Sequence, residues 1–561
     1  MKNLAEFAEA IEEKIEGKLN LNEIQQLIEK PKFEEQGDLA FPCFALAKMM
    51  RKAPPKIAQE LAQRISHSAF EKIVADGAYI NAFFHKKVES KAVIEEIKMK
   101  GNAYGQHEFG KKKNIVIDFS SPNIAKPFSM GHLRSTVIGN SLAKIAEKCG
   151  YQTVKINHLG DWGTQFGKLI VAYKHWGDED AVQKQPIKEL LGLYVKFHQE
   201  AEKHPTLNDE ARSWFKKLED GDDEANQLWM WFKDESLQEF NKIYQLLGVS
   251  FDSLNGEAFY NDKMQHTIAL LAEKNLLSAS EGAEVVDLSE EGMPPLLIRK
   301  SDGATLYATR DLTAALYRQE NYQFAKALYV VGQEQTLHFK QVFYTLKKMG
   351  FSFAEEMEHI PFGFILKNGK KMSTRKGGLV LLEKVLQEAI QLAEQNIEEK
   401  NPQLKDKQQV AEMVGVGAVI FHDLRNERMT NVEFSLQDML RFEGATGPYV
   451  QYTHARACSI LRKAGGHHGE VEGLDDPFSW QVVKRLLEFP DIIEKSFHYN
   501  EPSAIAKYLI ELAQDFNKYY SQVKILQEDA ELNSRLALVS STAIVLKEGL
   551  RLLGIGAPEQ M

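Results

Sequence analysis

The sequence predicts an α/β protein built on a doubly wound parallel sheet, with a small α+β module before it and an all-α bundle after it. Three observations predict this. From residue 111 short apolar runs alternate with helical spacing, the grammar of a parallel sheet with crossover helices. Before about residue 105, helical patterns mix with strand-like runs. Beyond about residue 380, nearly every segment carries a helical period. At 561 residues the chain is too long for one core, and we divide it at 1–105, 106–380 and 381–561.

In chain order, Ala53-Pro54-Pro55-Lys56 opens a helix over Ile57 to Ile65, because proline is tolerated in a helix's first turn. Ala78 to Phe84 reads as a strand, and the charged stretch Lys86 to Lys100 leads into the central region. There, Ile115 to Phe119 is an apolar run followed by a Ser/Pro/Asn loop, and residues 133–148 have helical spacing that Gly150 stops. Thr153 to Ile156, Ala327 to Val331 and Ile360 to Ile365 are further strand candidates. Residues 183–248, rich in Trp, Lys and Glu, read as a helical insertion. Five helices, Ala411–Leu424, Gly447–Ala464, Trp480–Phe497, Pro502–Leu526 and Leu536–Leu553, make the final bundle.

Composition excludes several classes. With 69 Lys and Arg against 79 Asp and Glu, the net charge of −10 argues against non-specific polyanion binding. It leaves room for a local basic face that docks one structured RNA. The 3 cysteines are widely separated, which argues against a disulfide framework and against a Cys-based zinc site. No apolar run approaches a membrane span, and the N-terminal residues form neither an apolar signal core nor an acid-poor transit peptide. We expect a cytoplasmic protein with no membrane association and no bound metal.

Two short segments carry the chemistry: Met130-Gly131-His132-Leu133-Arg134-Ser135-Thr136 and Lys371-Met372-Ser373-Thr374-Arg375-Lys376-Gly377. The first lies where a strand passes through a loop into a helix N-terminus, which presents backbone N–H groups and a positive dipole to an anion. Gly131 removes a side chain where a nucleotide can approach the backbone, and His132 offers a donor. Lys371, Arg375 and Lys376 supply positive charge. Such a site suits attack of a carboxylate on the α-phosphate of ATP, where positioning and charge stabilisation carry the catalysis without a side-chain nucleophile. Either segment alone is weak; the ordered pair on an alternating background is not.

The run Ser120 to Thr136 resembles the opening of the catalytic domain of arginyl-tRNA synthetases, class I enzymes with a Rossmann-like fold. So do His158-Leu159-Gly160-Asp161-Trp162-Gly163-Thr164-Gln165-Phe166-Gly167, Ser301 to Asp311, Gly447 to Arg456, and the ending Leu553 to Met561. The resemblance covers essentially the whole chain. It departs from the general class pattern at Ser129, where a histidine is usual, and at Thr374, where the second lysine of Lys-Met-Ser-Lys-Ser is usual. Lys126, Arg375 or Lys376 is expected to supply the missing charge.

The resemblance implies that Ser129, Gly131, His132, Lys371, Met372, Ser373 and Arg375 hold ATP, with His132, Lys371, Ser373 and Lys126 as the catalytic set. It implies that Asp311 forms the fork for a guanidinium, with Tyr307 one helical turn before it and Gln335 beside it. Asp118 and Asn123 would hold the amino and carboxylate end, and His158 with the Asp161-Trp162-Gly163 turn would form part of the adenosine and amino-acid wall. The C-terminal bundle would bind the anticodon, with Tyr449, Tyr452, Arg456, Arg462, Phe516 and Tyr520 as a patch suited to stacking and phosphate contact. The N-terminal module would contact the outer corner of the tRNA. The implied substrates are L-arginine, ATP with Mg²⁺, and tRNA(Arg), acted on by a monomer. Rival readings are another class I synthetase, a small-metabolite adenylyltransferase, and a non-catalytic RNA-binding paralogue. The last should have lost motif residues, yet Gly131, His132, Lys371, Tyr307 and Asp311 are all present.

Overall fold

The structure is a computed structural model that describes residues 2–300, 307–371, 381–465 and 469–561. The chain divides into two compact units.

One unit comprises Met1–Gly105, Arg456–Ile492 and Glu511–Leu546. Its N-terminal part holds an antiparallel sheet of β1 (Leu39–Pro42), β2 (Phe70–Asp76) and β3 (Tyr79–Phe84), in the order β1-β3-β2. The turn between β2 and β3 passes through Gly77 at φ 57°, a left-handed position that glycine adopts without strain. Helix Pro54–Arg64 starts on its prolines as expected and buries Ile57, Ala58 and Leu61. β1 and β2 were not legible as strands: β2 is mostly exposed and reads Phe-Glu-Lys-Ile-Val-Ala-Asp.

The other unit comprises Gln106–Ala455, Ile493–Ile510 and Lys547–Met561. Its centre is a parallel sheet of β4 (Asn114–Asp118), β5 (Gln152–Ile156), β6 (Lys326–Tyr329) and β7 (Met357–His359), in the order β7-β6-β4-β5. Helix α1 (Met130–Lys148) connects β4 to β5, while β6 joins β4 on the opposite side. The strand order therefore reverses between β4 and β6, and the crevice beyond their carboxyl ends is where such sheets bind ligands.

Four helices, Glu179–Lys184, Pro186–Lys203, Thr206–Glu219 and α2 (Asp223–Leu247), form the insertion. Helices α3 (Tyr307–Tyr322) and α4 (Thr336–Lys348) flank β6. Val116, Ile156, Ala327, Leu312 and Leu346 share one core with Ile298 and Val286 of a small antiparallel sheet. That sheet, Leu277–Ser280, Ala283–Val286 and Leu296–Arg299, was not anticipated. Nor does Ile360 to Ile365 form one strand. β7 ends at His359, because Pro361 has no N–H to continue the ladder, and pairing resumes only at Ile365–Lys367.

The C-terminal helices are α5 (Lys407–Leu424), Gly447–Ala464, Pro477–His498, Ser503–Gln522 and Leu532–Leu552, preceded by Leu382–Lys400. No helix among the described residues is long and apolar enough to cross a membrane.

Candidate active site

The crevice at the strand reversal is a cleft of about 330 Å³. Ser120, Ser121, Ser129, Gly131 and His132 line one side, and Val330 to Gly332, Glu334 and Phe362 to Ile365 the other. The loop leaving β4 is fixed from both directions. Ser120 N–H donates to Ser135 Oγ at 2.8 Å, and Ser135 Oγ donates to the Val330 carbonyl at 2.6 Å, so α1 is tied to both central strands. Ser120 Oγ lies 2.8 Å from the Tyr244 hydroxyl of α2, and Asn157 bridges that hydroxyl to Ser121 N–H. Ser120, Ser121 and Ala125 have φ of 72°, 47° and 57°, a left-handed geometry that non-glycine residues adopt only when their surroundings impose it. Beneath the loop, Gly139 lets α1 approach so closely that a Cβ there would sit 2.2 Å from the Phe119 ring.

At the start of α1, Ser129 N–H donates to His132 Nδ1 at 3.1 Å. Burial pushes the imidazole down to about 4, with the charge of Lys126 acting in the same sense. A neutral ring that accepts at Nδ1 carries its proton on Nε2 and so remains a donor. Gly131 is exposed, and among the described residues a Cβ there would meet only Ser129 Oγ, at 3.5 Å. The helix N-terminus is thus open to an anion, with His132 as an uncharged donor beside it.

The second segment begins near this cleft, at Lys371. Lys371 closes the short strand Lys370–Lys371, which pairs antiparallel with Ile365–Lys367, and Ile365 lines the cleft. On the far side, Leu381 bridges Ser129, and Leu382 N–H donates to the Phe128 carbonyl at 3.0 Å. Met372, Ser373 and Arg375 lie outside the described residues.

Asp118 is buried at the tip of β4. It accepts from Ser121 Oγ at 3.0 Å and pairs with Arg318 of α3 at 2.7 Å. Sequence reasoning missed Arg318, which belongs to no motif; it is 1% exposed. Burial opposes its charge, yet Asp118, Tyr329 and Tyr260 hold its pKa well above the ordinary value. Its guanidinium also lies 3.5 Å from His158 Nδ1, and burial pushes the His158 imidazole down. Asn123 bridges Gly160, where a Cβ would collide with the Asn123 side chain. Asp161 serves the scaffold: its carboxylate pairs with Lys233 at 2.7 Å and accepts from Ala258 N–H, while its carbonyl accepts from the Trp229 indole.

Tyr307 and Asp311 open α3, and Gln335 caps α4. Tyr307 and Gln335 are exposed, and Asp311 accepts from His338 Nε2 at 2.6 Å. Burial pushes the Asp311 carboxyl up, but His338, His158 and Arg318 together hold it below its usual range. A second carboxyl, missed from the sequence, belongs to Glu257. Burial pushes it up to about 7, while Arg310 draws it down and Asp311 and Asp161 push it further up. Only its place after Gly256, against Asp161, distinguishes it from the chain's other acidic residues.

Of the expected RNA-facing residues, Tyr449 is half-buried and Tyr452 is exposed. In the unit that contains Arg456, Arg462 is exposed, and Arg456 lies over the Tyr520 ring at 5.0 Å. Phe516 is a correction: it is fully buried, because its helix turns that side chain to the core and leaves Tyr520 at the surface. Among the described residues no group of three His, Cys, Asp or Glu side chains is arranged to hold a metal ion.

Known proteins share both the sequence and the fold. The family model for tRNA synthetases class I (R), catalytic domain, matches residues 93–436. The DALR anticodon binding domain matches 450–561, and the arginyl tRNA synthetase N terminal domain matches 5–84. The chain is 61% identical to arginine–tRNA ligase 1 of Bacillus cereus, over 99% of each chain. It is 60% identical to arginine–tRNA ligase of Enterococcus faecalis, over 100% of each. The solved arginyl-tRNA synthetase of Thermus thermophilus superposes with a TM-score of 0.81 at 26% identity, covering 99% of each chain. With all three of the family's domain signatures in order along its length, the chain belongs to the arginyl-tRNA synthetases of class I.

Proposed function

We infer that the cleft activates L-arginine with ATP, releasing pyrophosphate, and then passes the arginyl group to the 2′-hydroxyl of the 3′-terminal adenosine of tRNA(Arg). The observation that carries this reading is the cleft lined by Gly131 and His132, together with the Asp118 and Asp311 carboxylates, whose charges both reach His158. The family to which the chain belongs supports the same assignment.

In the first step the substrate carboxylate attacks the α-phosphorus of ATP and pyrophosphate leaves. Ser129, Gly131, Met372 and Ser373 cradle the nucleotide. The Nε2–H of His132 donates to phosphate without bringing charge, and Lys126, Lys371 and Arg375 offset the charge gathering on the pentavalent phosphorus. Asn123, Asp118 and His158 hold the amino-acid backbone, while Tyr307, Asp311 and Gln335 take the guanidinium. Glu257 lies close enough to feel Asp311, so a cation between the two carboxyls would stabilise both ionised forms. In the second step the terminal adenosine hydroxyl displaces AMP.

Magnesium travels with ATP as part of the substrate. Tyr449 and Tyr452 in one unit, and Arg456, Arg462 and Tyr520 in the other, are each offered to RNA, and the protein acts as a cytoplasmic monomer. Arginine-dependent exchange of pyrophosphate into ATP, run with and without tRNA(Arg), tests the reading. Exchange is expected only when arginine and tRNA are both present; exchange driven by another amino acid overturns it.

A further inference from the structure

We propose that His338 is a positioning residue for arginine recognition, fixing the Asp311 carboxylate as a fork for the substrate guanidinium; this rests on Asp311 being the guanidinium partner.

His338 stands three residues after Gln335 in the first turn of α4, and it reaches across to α3, where Tyr307 and Asp311 lie one turn apart. Its Nε2 is 2.6 Å from Asp311 Oδ2, and its ring centroid is 6.4 Å from that of Tyr307. His338 therefore joins the two segments contributing Tyr307, Asp311 and Gln335.

The direction of the bond follows from the partners. Asp311 is held in its ionised form, which only accepts, so the imidazole Nε2–H must donate. A carboxylate rotates freely about its last torsion, whereas a bidentate guanidinium requires one orientation of its plane. One donor on Oδ2 fixes that plane. It leaves Oδ1 accepting no hydrogen bond among the described residues, with a further lone pair on Oδ2, so the guanidinium can still approach both oxygens. The pair is 24% and 26% exposed, so solvent can reach it in the ligand-free protein. A pair exposed by about a quarter adds little to stability. Its consequence lies in the shape it gives the site.

The test uses the full-length protein with tRNA(Arg), reading arginine-dependent pyrophosphate exchange for three variants. His338→Met fills the space without a donor, and His338→Gln restores one. Asp311→Asn examines the underlying assignment. We expect His338→Met to raise KM for arginine about tenfold or more, the scale of a hydrogen bond to a charged group. Its kcat and its KM for ATP should stay within about twofold, and His338→Gln should recover most of the loss. Thermal midpoints within a few degrees of the unsubstituted protein would place the effect in the site. If Asp311→Asn impairs arginine use but His338→Met leaves KM unchanged, the role of His338 is overturned and the arginine site stands. An unrecovered loss in His338→Gln, or a fall in kcat alone, also overturns it. If Asp311→Asn itself leaves arginine kinetics intact, the assignment of Asp311 falls and the inference with it.

Discussion

Arg134 Nε lies 2.9 Å from Asp423 Oδ1, and the two side chains are only 1% and 3% exposed. The pair ties α1 to α5 immediately behind the cleft, and Arg134 Nη1 also donates to the Thr430 carbonyl at 2.8 Å. Removing one partner strands a buried charge, so Asp423→Ala should destabilise the protein by about 3–5 kcal/mol. Replacing both, as Arg134→Met with Asp423→Leu, should cost less than the single change. Chemical unfolding followed by circular dichroism measures both; a loss under about 1 kcal/mol for Asp423→Ala contradicts the account.

Glu257 should give arginine binding a dependence on pH. Its carboxyl, raised by burial to about 7, is largely protonated below that value and ionised above it. A guanidinium favours the ionised form, so binding expels a proton and the KM for arginine should fall as pH rises through about 7. Glu257→Gln should flatten the profile. An arginine KM that is already level across this range in the unsubstituted protein removes Glu257 from the site.

His132 should remain a neutral donor throughout the working range, because its imidazole titrates near 4. The ring carbon signal of selectively labelled His132 is expected to stay constant from about pH 8 down to about pH 5. Titration near the ordinary histidine value excludes the uncharged-donor role.

Lys126 is expected to act on phosphate chemistry alone. Its charge is felt at His132, and Lys126→Ala should lower the maximal exchange rate by about 10²-fold while sparing the KM for arginine. Unchanged exchange would transfer the compensating charge to Arg375 or Lys376.

Asp311→Ala should raise the arginine requirement by about 10²-fold or more, since it removes the counter-charge and both acceptors of the fork. ATP affinity serves as the internal control. Near-normal arginine kinetics would exclude Asp311 from that role.

The parallel sheet was legible because its central strands are apolar runs bounded by loops: Ile115-Val116-Ile117 and Ala327-Leu328-Tyr329 end up almost wholly buried. The helical bundle was legible for the same reason at another period. The small sheet at 277–299 escaped, because Leu277–Ser280 is largely exposed and carries little alternation. At the site, residues belonging to contiguous motifs could be named in advance. Arg318, Glu257 and His338 could not, since each matters through a partner distant in sequence: Asp118, Asp311 and Asp161, and Asp311 again. Phe516 was misjudged because an aromatic beside basic residues looks alike in a core and on an RNA-facing surface until its helix face is known.

The left-handed backbone at Ser120 and Ser121 sets a rule for what the chain can accept at those two places. Tolerance there should follow main-chain freedom before side-chain chemistry: glycine, asparagine and aspartate admitted, valine and isoleucine refused. A saturation library would then sort by torsional preference rather than by polarity. The loop after β4 would keep its form by geometry inherited from the fold, and a hydroxyl at either position would be a refinement added to a shape already decided.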